Sequence, residues 1–260
     1  MNEDRNILLV VSYNGAGFAG WQRLPGRERT VQETLEKCLT SLLGEDINVI
    51  GAGRTDAGVH AEGQAVNFRT KSDQSLDELG TRIKAALPAD IGCSAIREAV
   101  PNFHARYRAL GKTYAYRLHD GPVADPHPGK KAWHVSSPLD EKAMQQAGEL
   151  FTGIRNFYAF TGAKTDSRNF LRELTEVRLE RKKHLLDLYF SADGFLNRQV
   201  RIMAALMAEI GVGRAKPDLV RQLLETPDRT RTPGPLAAYG LRLVEVRYRD
   251  EDFTGPILVL

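Results

Sequence analysis

The order in which hydrophobic periodicity switches along the first hundred residues constrains the fold more than any other feature of this 260-residue chain. Ile7 to Tyr13 is a short apolar run suited to a buried strand, and Asn14-Gly15-Ala16-Gly17 closes it with turn-forming residues. Thr30-Val31-Gln32-Glu33 is a capping-box pattern, and Val31, Leu35, Leu39 and Leu42 follow at helical spacing. Strands are expected around 47–52 and 64–69. A second capping box, Ser75 to Glu78, opens a helix with Leu76, Leu79, Ile83 and Leu87 on one face, stopped by Pro88. A strand near 91–99 completes the series. The result is β-α-β-β-α-β, the split βαβ or ferredoxin-like order.

The second half follows the same plan more loosely. Lys112 to Leu118 reads as a strand, and a Pro/His/Gly-rich loop runs from His119 to Gly129. A helix from Leu139 to Phe151, an irregular segment to Asn169 and strands at 171–180 and 185–191 come next. Phe195 to Ile210 reads as a helix with Leu196, Val200, Met203, Met207 and Ile210 in one stripe. Pro217 starts a short helix to Leu224, and Leu241 to Tyr248 alternates as a final strand. The expected fold class is α+β: two similar ferredoxin-like halves, residues 1–109 and 110–260, with a cleft between them.

Composition narrows the setting. A content of 42% hydrophobic and 27% charged residues is that of an ordinary globular protein, and the net charge of +3 allows a polyanionic partner without requiring one. Cys38 and Cys93 each sit in an apolar pattern and suggest no disulfide framework, which fits a reducing cytosol. The apolar run Ile7–Val11 is too short for a signal-peptide core, so a cytoplasmic protein is expected.

Chemistry concentrates in Gly53-Arg54-Thr55-Asp56-Ala57-Gly58-Val59-His60-Ala61. The run places an acid, two potential cations and glycines suited to positive φ between Asn48-Val49-Ile50 and the alternating Gln64-Ala65-Val66-Asn67-Phe68. An Asp between Arg54 and His60 stays ionised, because nearby positive charge favours the carboxylate, and an ionised carboxylate can act as a nucleophile. Many such loops only pair their charges at the surface. Tyr114 and Tyr116 share one strand face and suit a core; Arg201, at the edge of an apolar stripe, suits a snorkelling surface cation.

The run resembles the signature of the tRNA pseudouridine synthase A (TruA) family. So do Tyr13, Gly15, Phe18, Gly20, Trp21 and Gln22, then Thr30-Val31-Gln32, Phe103-His104-Ala105-Arg106, Lys112-Thr113-Tyr114-Ala115-Tyr116, Phe195-Leu196 with Val200-Arg201, and Gly240-Leu241. The resemblance spans essentially the whole chain. It implies that Asp56 is the catalytic aspartate, Tyr114 the active-site tyrosine and Arg201 the arginine pairing with the aspartate. It further implies a tRNA partner, modification of uridines 38, 39 and 40 in the anticodon arm, an RNA-binding and catalytic cleft between the halves, and a homodimer bridged by tRNA. Arg54, His60 and Arg106 join Tyr114 as candidate RNA contacts; for Arg106 a solvated face is an equal alternative.

Pseudouridine formation cuts the bond between ribose and N1 of uracil, turns the base and rejoins it through C5. A carboxylate can stabilise or capture the sugar cation formed by cutting, or can add to C6 of the base; the sequence favours neither route. Arg54 can occupy the space the extruded uridine leaves or hold a phosphate, and Tyr114 can stack on the base. This chemistry needs no metal, nucleotide or redox cofactor. His60-Ala61-Glu62 fits half of a zinc deaminase signature, but the Pro-Cys-x-x-Cys half is missing. A non-catalytic RNA-binding protein of the same fold, or a synthase acting at another RNA site, is the remaining alternative. Arg155-Asn156-Phe157 stands where the family has His-Asp-Phe, Lys84 where it has Asn and Ala237 where it has Pro.

Overall fold

The computed structural model describes residues 4–26, 28–122, 131–162 and 169–260. Parts of the His119–Gly129 loop and of the irregular segment before Asn169 lie outside these. The chain is α+β and divides into two compact units, residues 1–110 with 243–260, and residues 111–242. The sequence suggested one cut near 109; the last segment instead returns to the first unit.

In the first unit, β1 (Arg5–Tyr13), α1 (Val31–Leu43), β2 (Ile50–Gly51), β3 (His60–Thr70), α2 (Leu76–Ala86) and β4 (Ile91–Ala99) appear in the expected order. The strands lie β4-β1-β3-β2 with every neighbour antiparallel, which is the arrangement of a split βαβ unit. α1 starts where Thr30 accepts the Glu33 N–H and ends at Gly44, whose φ of 70° is the left-handed value a helix C-terminus favours. Of the two expected capping boxes, the one at Ser75 and Glu78 is complete and reciprocal, while Glu33 pairs with Lys37. α2 ends at Leu87, which is extended because Pro88 follows it. β2 is much shorter than the 47–52 expected, and β3 starts four residues earlier than 64.

The alternation in β3 does not mark a solvated face. Gln64 and Asn67 are 0% and 2% exposed. One face of this sheet is closed by Leu8, Ala65, Ala99 and Phe103 packed with Val246, Tyr248 and Phe253, the last three from the returning segment. Each buried amide is therefore bonded, as burial demands. Gln64 brackets Gly53 by accepting from its N–H and donating to its C=O, and Asn67 donates to Asn6 and accepts from Ala105 N–H.

The second unit holds β5 (Gly111–His119), β6 (Trp133–His134), α3 (Glu141–Phe151), β7 (Gly153–Asn156), β8 (Leu171–Lys182), β9 (Leu185–Ala192), α4 (Gln199–Gly211) and α5 (Asp218–Glu225). Strand order is β5-β9-β8-β7, all antiparallel, with β6 parallel to β5. β6 and β7 were not legible in the sequence. α4 begins four residues later than Phe195 because Leu196–Gln199 form a separate turn, closed by the Gln199 N–H donating to Leu196 O. Arg198 takes φ 60°, and the Leu196 N–H is satisfied by the Gln199 side chain. α4 is buried on nearly every side, so it is a core helix rather than a surface helix with one apolar stripe.

On the sheet face that carries Arg117, Asp187 accepts paired hydrogen bonds from Arg117 (2.7 and 2.6 Å) and from Arg242 (3.2 and 2.9 Å). Burial alone would raise the Asp187 pKa, but these two guanidiniums overrule it and hold the carboxyl below its ordinary value. After Leu241 the chain continues as β10 (Leu241–Arg247) and reaches β11 (Leu258–Val259), which pairs antiparallel with β4.

Candidate active site

The Gly53–Ala61 run lies between β2 and the start of β3, and the amino-terminal segment supports it from behind. The Val59 N–H donates to Asp56 O at 3.1 Å, closing a turn in which Gly58 takes φ 79°. Thr55 is buried; its hydroxyl meets the Tyr13 hydroxyl at 2.8 Å, and its carbonyl accepts from Trp21 N–H at 3.0 Å. Gly58 N–H reaches Phe18 O at 3.4 Å. Gly15 N–H donates to His60 Nδ1 at 3.1 Å. Burial pushes the Tyr13 hydroxyl up to about 12, so it serves this network in its neutral form.

Two glycines permit the contact. A Cβ on Gly15 would stand 2.0 Å from Val59 O, and one on Gly20, where φ is 108°, would stand 2.9 Å from Thr55 O. The residues at 13–21 are thus the supporting half of the same device as the Asp56 loop. Asp56 is half-buried and Arg54 exposed on this turn. His60 is 7% exposed and its Nδ1 faces the Gly15 backbone, which gives it a supporting task inside the loop.

Arg106 lies elsewhere in the first unit, exposed on a turn after β4 that is tied through Ala105 to Asn67, toward the far end of β3. A cavity of about 680 Å³ also lies at that far end, against Asn67, Arg69 and Lys71, and not at the Asp56 loop. Among the described residues no group of three or more His, Cys, Asp or Glu could hold a metal ion.

The second unit carries the other two candidates. Tyr116 is fully buried and donates to Ala237 O at 2.8 Å, with its ring against Gly240. Tyr114, on the same face of β5, is 8% exposed and meets Phe195 edge-to-face at 5.3 Å between centroids. Arg201 sits in the first turn of α4, half-buried, and its Nε donates to Leu236 O at 2.6 Å. That bond fixes the guanidinium plane, which a freely snorkelling arginine would not have.

Residues 9–108 and 147–249 match the family model described as tRNA pseudouridine synthase. The chain belongs to the tRNA pseudouridine synthase family. This is a family of isomerases. The chain is 37% identical to tRNA pseudouridine synthase A of Acetivibrio thermocellus over 94% of its own length and 100% of that protein's. It is 36% identical to the protein of the same name from Caldicellulosiruptor bescii, with the same coverage. Among solved structures it is similar to a chain of a Cbf5-Nop10-Gar1 complex at 11% identity and a TM-score of 0.36, covering 91% of this chain and 48% of that one.

The departures at Asn156, Ala237 and Lys84 cost the fold little. Asn156 Oδ1 accepts the Tyr158 N–H at 3.0 Å, a task open equally to aspartate. Ala237 has φ −57° and ψ 149°, angles a proline would also take, and its role toward Tyr116 is played by its carbonyl. Lys84 lies exposed in the last turn of α2, where a cation suits the helix dipole.

Proposed function

We propose that this protein is a tRNA pseudouridine synthase that isomerises uridine to pseudouridine in the anticodon stem-loop, at positions 38, 39 and 40, with Asp56 as the nucleophile. The observation that carries the reading is the support given to the Asp56 turn. Tyr13, Gly15, Phe18, Gly20 and Trp21 converge on it, so a half-buried carboxylate is held in place at the cost of two glycines that can be nothing larger. Preorganised carboxylates of this kind suit attack on a sugar or base carbon. Arg54, exposed beside Asp56, compensates the few kcal/mol needed to extrude the target nucleotide. In this reading Tyr114 stacks on the extruded base, Arg201 pairs with Asp56, and Arg106 contacts RNA. Both units form one catalytic domain, and the protein acts in the cytoplasm as a homodimer bridged by tRNA. A mass near 28.9 kDa by light scattering of the protein at micromolar concentration would remove the dimer from the proposal.

The test is tritium release from tRNA carrying 5-tritiated uridine, with pseudouridine confirmed by nucleoside analysis. The native protein should release tritium and Asp56→Ala should release none. Tight tRNA binding without release from any RNA would overturn the enzyme reading in favour of an RNA-binding protein. Release that persists in Asp56→Ala would overturn the nucleophile.

A further inference from the structure

Tyr107 is the most exposed aromatic ring among the large hydrophobic side chains, at 78% of its surface, yet it is held rigidly. Its ring stacks on His104 at 4.2 Å between centroids and 30° between planes. His104 Nδ1 accepts from the N–H groups of Arg106 and Tyr107 at 3.2 and 3.4 Å, and its carbonyl accepts from Tyr107 and Arg108 N–H. The turn is bolted to the core at several points. Asn6 donates to Phe103 O at 3.0 Å, Asn67 accepts from Ala105 N–H at 2.9 Å, and the Tyr248 hydroxyl donates to Ala105 O at 2.6 Å. Arg108 pairs with the buried Asp252 at 3.4 Å. These bonds satisfy buried groups of the core, whereas the Tyr107 ring itself gains little from burial on folding, so its fixed exposure is not accounted for by packing.

We propose that the Tyr107 ring, backed by His104, is a stacking platform for an unpaired base of the RNA substrate, remote from the reacting uridine. The inference rests on the reading of the protein as a tRNA-modifying enzyme. Every base offers a π-face, so an exposed, pre-stacked tyrosine binds one whatever its identity. Arg106 is exposed beside it, and among the described residues no carboxylate pairs with it, leaving a cation for the adjoining phosphate. The neighbouring cavity is a poorer candidate for the phosphate, because Asp4, Glu45 and Asp46 line it together with Arg69 and Lys71. Distance from the chemistry follows from β3. Asn67, which holds the turn, is seven residues along the strand from His60, about 23 Å at the usual rise. A contact that far away binds substrate and transition state alike, so it acts on KM and not on kcat.

The experiment is steady-state kinetics on transcribed tRNA for the native protein, Tyr107→Ala and Tyr107→Phe, with light scattering on each. Loss of one stacked base should raise KM at least about fivefold in Tyr107→Ala, with kcat within twofold and Tyr107→Phe close to native. A native KM in Tyr107→Ala overturns the platform while leaving the enzyme reading intact. A changed kcat at constant KM overturns it as well, because the ring would then act on the chemistry. A changed oligomeric mass in Tyr107→Ala assigns the ring to a protein interface instead. Failure of the native protein to bind or modify any tRNA removes the enzyme reading and the platform with it.

Discussion

Gly15→Ala tests the support of the Asp56 loop without touching any group assigned to the chemistry. The added Cβ would lie 2.0 Å from Val59 O and 2.5 Å from Val59 C, both backbone atoms in the loop. Restoring an ordinary contact of about 3.2–3.4 Å requires a shift of roughly 1.2–1.4 Å, and neither side yields easily. Gly15 N–H is bound to His60 on one side, while Thr55 is bound to Tyr13 and Trp21 on the other. Overpacking of this kind costs about 1–3 kcal/mol of stability. A displacement near 1 Å at a catalytic group costs on the order of 100-fold in rate. Gly17→Ala, two residues away in the same turn, is the control, because its Cβ meets nothing nearer than 3.6 Å. Single-turnover tritium release at saturating enzyme, with thermal unfolding of each variant, measures both quantities. The expected outcome is a fall of about two orders of magnitude for Gly15→Ala, in protein that remains folded at the assay temperature, and a change within twofold for Gly17→Ala. Equal rates in the two variants would refute the claim that this contact positions the loop.

Tyr13→Phe should cost about 1–3 kcal/mol in urea unfolding, because it strands the buried Thr55 hydroxyl. The Tyr13 pKa is raised, so its contribution is complete below the unfolded value of about 10 and is lost as pH rises toward about 12; Tyr13→Phe should flatten that alkaline decline. Asp187→Ala should destabilise by about 2–4 kcal/mol at neutral pH, less than a fully buried pair because Arg117 is partly exposed. Asp187 has a lowered pKa, so its stabilisation is present above the ordinary aspartate value of 3.8 and is lost as pH falls through the lower folded value; the stability gap between native and Asp187→Ala should narrow as pH is lowered below 3.8.

The first unit was legible because its local signals agree. Two capped helices, a strand before each and Pro88 after the second leave few alternatives to the split βαβ order. Boundaries were missed where tertiary contacts decide them. β3 extends back to His60 because Ala61 pairs with Tyr13 on β1, and α4 starts late because Gln199 caps the preceding turn with its side chain. β7 is a short strand with all four residues exposed, so it has no hydrophobic alternation to read. At the candidate site, residue types pointed to Asp56, but nothing local to 53–61 indicates Tyr13 or Gly15 as its supports. Those contacts join residues more than forty positions apart, and no periodicity reports them. Arg201 illustrates the opposite case: its position on an apolar stripe suggested a loose surface cation, while Leu236 O holds its Nε.

The return of residues 243–260 to the first unit has a consequence for synthesis. When residue 110 leaves the ribosome, the β4 edge lacks β11, and Phe103 lacks Tyr248 and Phe253. The intervening residues 111–242 take about 7–26 s to translate at 5–20 residues per second. For that interval the nascent chain carries an open strand edge and an uncovered aromatic, both invitations to mispairing. The second unit is in effect an insertion, and the first can be sealed only once residues 243–260 have followed it.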